Sequence, residues 1–153
     1  MNYWIKQLGL PHDKIKLDDY CDFSRTIDFP ERPTGIKIGD QLFVIAVGHK
    51  FLYAQLDVLS IPFEGHPEEF TTGIRNRDFP WLLYCRNVNK GFSDAWFDHK
   101  LDMMAIAVEY HEKTGNPVTS PGAPNLNGLL HGNSYMGLQE GFVQYLIQKM
   151  ASK

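Results

Sequence analysis

An α+β fold, with a small mixed or antiparallel sheet curled or closed into a barrel and flanked by helices, is what this sequence predicts. Three observations predict it. Residues 41–47 and 51–60 are strand-like runs, Gln-Leu-Phe-Val-Ile-Ala-Val and Phe-Leu-Tyr-Ala-Gln-Leu-Asp-Val-Leu-Ser, joined by Gly48-His49-Lys50, the layout of a hairpin. Strand-like segments follow one another without regular helical crossovers, which argues against a doubly wound parallel sheet. Toward the C-terminus apolar residues recur at three- and four-residue steps, so helices accompany the sheet.

Taken in order, residues 3–7 (Tyr-Trp-Ile-Lys-Gln) read as a first strand, aromatic and β-branched and ended by Gly9 and Pro11. Residues 13–21 suit a short helix with Ile15 and Leu17 facing inward. Phe23 to Pro33 reads as irregular, and Gly39-Asp40 as a turn feeding the hairpin. Pro62 to Pro80 reads as an extended loop with a helical turn near Glu68, and Trp81 to Val88 as a strand. Ser93 is a candidate N-cap for one long helix from Asp94 to Lys113, ended by Gly115 and Pro117. Its expected packed face is Phe97, Leu101, Met104, Ala105 and Val108. Residues 116–128, with prolines at 117, 121 and 124, form a surface loop, and Leu129-Leu130 opens a short strand. A last helix from Leu138 to about Met150 buries Leu138, Phe142, Tyr145, Leu146 and Met150.

Length and composition bound the function. A chain of 153 residues fits one domain, 1–153, and 43% hydrophobic with 22% charged residues is ordinary globular usage. No stretch approaches the ~20 apolar residues of a membrane helix, and the N-terminus lacks a signal-peptide layout. The expectation is a cytoplasmic protein with no membrane contact. Cys21 and Cys85 read as two free, buried thiols, and no CxxC or HxxxH pair offers a zinc site. A net charge of −3 argues against electrostatic coating of duplex DNA, though not against a pocket for one base. Basic residues do gather at Arg75-Asn76-Arg77 and from Arg86 to Lys90, where a solvated mixed surface is an equal reading.

Catalytic signals are weak, with no G-x-S-x-G, Walker, GxGxxG or HExxH motif. Asp94, Asp98 and Asp102 fall at four-residue spacing, where they describe a solvated helix face more often than a metal site. No cofactor is called for. The six histidines share no spacing; His49 and His131 stand out because each adjoins glycine in a loop beside a strand. The aromatic residues are more informative. Trp4 on a strand, Phe23 in a loop, Trp81 after Pro80 and Tyr135 after Gly132-Asn133-Ser134 sit where burial alone does not require them. Flat rings so placed suit a flat ligand, since each base stacked on an aromatic ring is worth about 1–3 kcal/mol.

Four segments, in order, carry a resemblance to a known family. They are Met1-Asn2-Tyr3-Trp4-Ile5, then Ile36-Lys37-Ile38-Gly39-Asp40-Gln41-Leu42-Phe43, then Phe51 to Ser60, and last Leu129 to Leu138 leading into Glu140-Gly141-Phe142. Together they resemble the PUA-like superfamily, in its EVE branch, which is similar to the YTH readers and associated with recognition of modified bases. Two segments depart from the family's pattern. Asp22-Phe23-Ser24-Arg25-Thr26 stands where members carry a Trp-Gly-Val-Arg-Asn-like stretch, and Val47-Gly48-His49 replaces an aromatic-His-Ser ending.

The resemblance implies a non-catalytic reader of DNA or RNA that takes a modified or flipped base into an aromatic-lined pocket. It places Trp4, Phe23, Ser24, His49, Trp81 and Tyr135 around that base and Arg25 on a phosphate or base edge. It also implies an effector protein as partner. Two other readings stay open: a small hydrolase or nuclease using Asp98, His99 or His131, and a protein-interaction module that uses its exposed aromatics.

Overall fold

The computed structural model describes residues 1–8, 26–46, 48–64, 81–131 and 135–153. The expected helix at 13–21, the turn near Glu68, and Cys21 lie outside these residues. Among them, seven strands form one sheet: β1 (Tyr3–Leu8), β2 (Thr26–Phe29), β3 (Gln41–Ala46), β4 (Leu52–Val58), β5 (Phe63–Glu64), β6 (Trp81–Asn87) and β7 (Tyr135–Leu138). The hydrogen-bonded order is β2-β6-β4-β3-β1-β7, with β5 added to β6. β1 runs parallel to β3 and every other pairing is antiparallel, so the sheet is mixed, as expected.

The hairpin forms where the sequence places it. Gly48 (φ 94°) and Lys50 (φ 60°) take left-handed backbone that reverses the chain, and the Lys50 amide donates to the Ala46 carbonyl at 2.9 Å. Within the β3–β4 ladder Val44 faces Ala54 but Ile45 faces Leu52, which leaves Tyr53 as an extra residue, a β-bulge. A bulge adds twist, and the sheet curls.

β3 is buried on both faces because each face has its own core. Leu42, Val44 and Ala46 point inward with Phe29, Tyr53, Ala54, Leu56, Val58, Leu83, Cys85 and Trp96. Phe43 and Ile45 point outward with Ile5 and Leu52 against two helices. Fully burying each such large apolar side chain is worth roughly 1.5–3 kcal/mol.

The long helix expected from Asp94 to Lys113 is instead three: α1 (Lys90–Asp94), α2 (Trp96–His99) and α3 (Met103–Thr114). The break has a tertiary cause. Lys100 turns left-handed at φ 52°, and residues 101–103 lie along the start of β4: Leu52 N donates to Leu101 O at 2.8 Å and Met103 N to Lys50 O at 3.0 Å. Asn89 and Asp102, not Ser93, are the N-caps; Asp102 accepts from Met104 N and Ala105 N at 3.0 and 3.2 Å. Ser93 is buried inside α1 and takes Asn87 Nδ2 at 3.0 Å. The new start rotates the packed face of α3 to Met103, Ile106, Ala107 and Tyr110, leaving Ala105 and Val108 exposed.

Other segments also differ from expectation. Thr26–Phe29, inside the stretch read as irregular, is strand β2, and Phe63–Glu64 pairs with β6. Leu129 and Leu130 lie in a 3₁₀ turn (Asn127–His131), and the strand follows it as β7. The last helix, α4 (Glu140–Ala151), buries Phe142, Val143, Leu146 and Met150, with Tyr145 half-buried. Glu109 of α3 pairs with Lys113 at 3.0 Å and Lys149 of α4 at 3.1 Å, tying the two helices together. No described helix is long and apolar enough to cross a membrane.

Candidate functional site

Alternation along β1 puts Trp4 and Lys6 on the inner face of the curled sheet, with Tyr3 and Ile5 outside. β7 pairs antiparallel with β1, setting Tyr135 opposite Lys6 and Gly137 opposite Trp4. β2 pairs with β6 so that Phe29 lies opposite Trp81. β2 and β7 stand at opposite ends of the strand order, yet their aromatic rings meet: Phe29 and Tyr135 contact edge-on at 5.7 Å between centroids. The Tyr135 ring then meets Trp4 at 5.5 Å and an interplanar angle of 62°. A row Trp81–Phe29–Tyr135–Trp4 thus crosses the seam where the sheet closes on itself. Trp4, Trp81 and Tyr135 are half-buried and Phe29 is fully buried, so the row has a hidden centre and accessible ends.

Cations flank the row. Lys6, only 3% exposed, holds its ammonium 5.1 Å from the Phe29 centroid and donates to the Gln7 carbonyl at 3.0 Å. A desolvated cation over a ring gains about 2 kcal/mol, which offsets part of the cost of burial. The exposed Arg32 places its guanidinium 5.5 Å from the Trp81 centroid.

Trp4 is held from several sides. Its Nε1 donates to Asp40 Oδ2 at 2.9 Å, an oxygen that also takes the Lys37 amide at 3.0 Å, while Asp40 Oδ1 takes the Asn2 amide at 2.9 Å. Burial alone would push the Asp40 carboxyl up, but the Asn2 amide, the Trp4 indole, the Lys37 amide and the N-terminal charge outweigh it and hold the group below its usual value. Gly35 and Gly137 give the indole room. A Cβ on Gly35 would stand 2.8 Å from Trp4 Cη2, and one on Gly137 would stand 3.5 Å from Cζ3 and 2.6 Å from Ser120 Oγ.

Of the residues singled out in the sequence, Trp4, Trp81 and Tyr135 are brought into this row. His49 joins a second aromatic group, stacked on Phe51 at 4.9 Å and edge-on to Phe97 at 5.6 Å. Phe23, Ser24 and Arg25 lie outside the described residues, as does the His131 side chain. Phe29, Lys6 and Asp40 were not singled out. Phe29 hides between Pro30, Pro33 and the irregular-looking run before it, whereas Lys6 shows a usable signal, two residues from Trp4 on a strand.

Three of the described groups weighed for metal binding or catalysis are engaged elsewhere. Asp94 pairs with Lys90 at 3.3 Å, Asp102 caps α3, and the His99 ring lies on Phe92 at 4.7 Å. Among the described residues no group of three or more His, Cys, Asp or Glu is placed to hold a metal. Cys85 is buried in the inner core, where burial and the nearby Asp57 charge push its thiol up to about 12, far from thiolate. What the row offers is flat rings and nearby cations, the complement of a planar, acceptor-bearing ligand.

No protein-family model matches the chain, and neither does any curated protein. Among solved structures, the crystal structure of human THYN1 protein in complex with 5-methylcytosine containing DNA is similar to it. The two are 10% identical, and the similarity covers 100% of this chain and 99% of that chain at a TM-score of 0.53. The likeness is one of fold, and it bears out the α+β architecture with a curled mixed sheet expected from the sequence.

Proposed function

We propose that this protein is a single-domain, non-catalytic reader of nucleic acid that takes one modified or flipped base against the aromatic row. The row across the β2–β7 seam carries the reading: half-buried Trp4, Tyr135 and Trp81, joined through Phe29 and bordered by Lys6 and Arg32. Stacking on such rings tolerates any base, and selectivity comes from polar groups at the base edge. The solved protein of the same fold was captured with 5-methylcytosine containing DNA, which supports a methylated cytosine as the first base to try. Phe23, Ser24 and Arg25 directly precede β2 in the sequence; we assign them the remaining contacts to the base, Arg25 to phosphate or a base edge, and give His49, in the second aromatic group with Phe51 and Phe97, a contact to the flanking strand. The reader acts in the cytoplasm through an effector partner.

The test is fluorescence anisotropy with labelled DNA and RNA oligonucleotides, single- and double-stranded, each with and without modified cytosine. Binding that depends on the modification and is lost in Trp81→Ala or Tyr135→Ala supports the reading. No binding to any of them at low salt overturns it.

A second reading has one observation in its favour. Ile38, Leu59, Ile61 and Tyr84 are 61%, 47%, 65% and 45% exposed, and the backbone brings Gly39 to Val58 and Leu59 to Tyr84. A protein-docking role rests on these apolar side chains. Pull-down with and without the Ile61→Asp change checks it.

A further inference from the structure

The indole N–H of Trp4 is the one polar group on that side chain, and a tryptophan beside a base can use it in two ways. It can donate to the base edge and so read it, or it can be spent on the protein and leave only the ring for stacking. In this structure it is spent: Nε1 donates to Asp40 Oδ2 at 2.9 Å. Asp40 is itself 4% exposed and fixed by two backbone amides, Asn2 on Oδ1 and Lys37 on Oδ2. Its segment is pinned by Gly39 N to Val58 O at 3.0 Å, Val58 N to Asp40 O at 2.9 Å and Gln41 N to Asn2 O at 3.0 Å. The opposite edge of the indole lies between Gly35 and Gly137, where a Cβ would come within 2.8 and 3.5 Å of ring carbons.

We infer that Asp40 is a positioning residue that locks Trp4 as a ring-only wall of the ligand site, so that Trp4 supplies stacking surface and reads no base edge. The inference rests on the base-reader reading above. It has a consequence for recognition: discrimination among bases falls to other groups, among them the buried Lys6 ammonium, opposite Tyr135 in the β1–β7 register.

Indole-proton NMR with oligonucleotide titration tests it. Two substitutions separate the lock from the charge. Asp40→Asn keeps an oxygen that can accept from both Trp4 and Lys37, whereas Asp40→Ala removes the acceptor. The Trp96 indole signal reports that the inner core is intact, since Trp96 is 1% exposed. The Trp4 indole proton is expected to exchange slowly in the wild type and Asp40→Asn and quickly in Asp40→Ala. Affinity for the 5-methylcytosine oligonucleotide should follow that order, within about threefold for Asn and down about tenfold for Ala, the effect of losing one hydrogen bond to a charged group.

Should Asp40→Ala not fold, the wild type saturated with oligonucleotide still decides: its Trp4 indole proton should stay protected from exchange, with only the small ring-current shift of a base stacked on the indole. A freely exchanging Trp4 indole in the wild type overturns the inference. So does full affinity in a folded Asp40→Ala, or an indole proton that moves onto the ligand. A wild type that binds no oligonucleotide instead sinks the base-reader reading, and the ligand-free exchange data keep the two failures apart.

Discussion

Phe29 and Tyr135 meet edge-on at 5.7 Å although their strands, β2 and β7, stand at opposite ends of the sheet's hydrogen-bonded order. Among the described residues it is therefore side chains, not a β-ladder, that join the two ends of the sheet, and this junction carries the proposed ligand site. Phe29 is fully buried, with the Lys6 ammonium over its ring. Phe29→Ala should lower stability by about 3–5 kcal/mol, since a large aromatic is deleted from a packed core. Denaturant unfolding measures this, and a loss under 1 kcal/mol would show that the seam does not depend on the ring.

Tyr135 and Trp81 are half-buried, one on each side of the buried Phe29, and they test binding more cleanly than Phe29 does. Tyr135→Ala and Trp81→Ala should each weaken oligonucleotide binding by about 1–3 kcal/mol. Anisotropy titration checks this, with circular dichroism to confirm that the fold is retained.

Gly137 faces Ser120, whose amide donates to the Gly137 carbonyl at 2.9 Å, so neither backbone can easily withdraw. A Cβ there would stand 2.6 Å from Ser120 Oγ. Gly137→Ala should cost about 1–3 kcal/mol by overpacking. Adding Ser120→Gly should recover much of the loss, and thermal melts of the single and double variants decide.

Asp40 gives a pH signature. Its folded value lies below the usual 3.8, so its hydrogen bonds stabilise the protein fully above 3.8 and lose that contribution as pH falls through the folded value. The Tm difference between wild type and Asp40→Asn should be widest at neutral pH and should shrink below about pH 3.8. A difference that widens in acid would mean that the sign is wrong.

Cys85, with its thiol pushed up to about 12 by burial and by Asp57, should resist alkylation in the native protein and react once unfolded. Peptide mass spectrometry after iodoacetamide distinguishes it from Cys21. Rapid native labelling of Cys85 would contradict its place in the inner core.

Local pattern carried much of this fold. The hairpin, β1, β6 and α4 were legible because strong apolar runs met clear turn chemistry, such as Gly48 and Gly39-Asp40. The long helix that the periodicity predicts is cut by a tertiary contact, because nothing local shows that Leu101 and Met103 bond to the backbone around β4. That break also turned the packed face from Val108 to Ile106 and Ala107. At the site, Trp4, Trp81 and Tyr135 were visible as aromatics at strand ends. Phe29 was not, because its strand is four residues long and followed at once by Pro30. Asp40 looked like a turn residue, and only the folded chain shows its carboxylate on the Trp4 indole.

The central claim is that the row Trp81–Phe29–Tyr135–Trp4 holds a base. Its most direct test is competition between a 5-methylcytosine duplex and its unmodified twin for wild type and Tyr135→Ala, followed by intrinsic tryptophan fluorescence. Quenching by the methylated duplex, outcompeted poorly by the unmodified one and lost in Tyr135→Ala, is the expected result. Equal binding of both duplexes that survives Tyr135→Ala would place any nucleic-acid contact elsewhere on the molecule and contradict the claim.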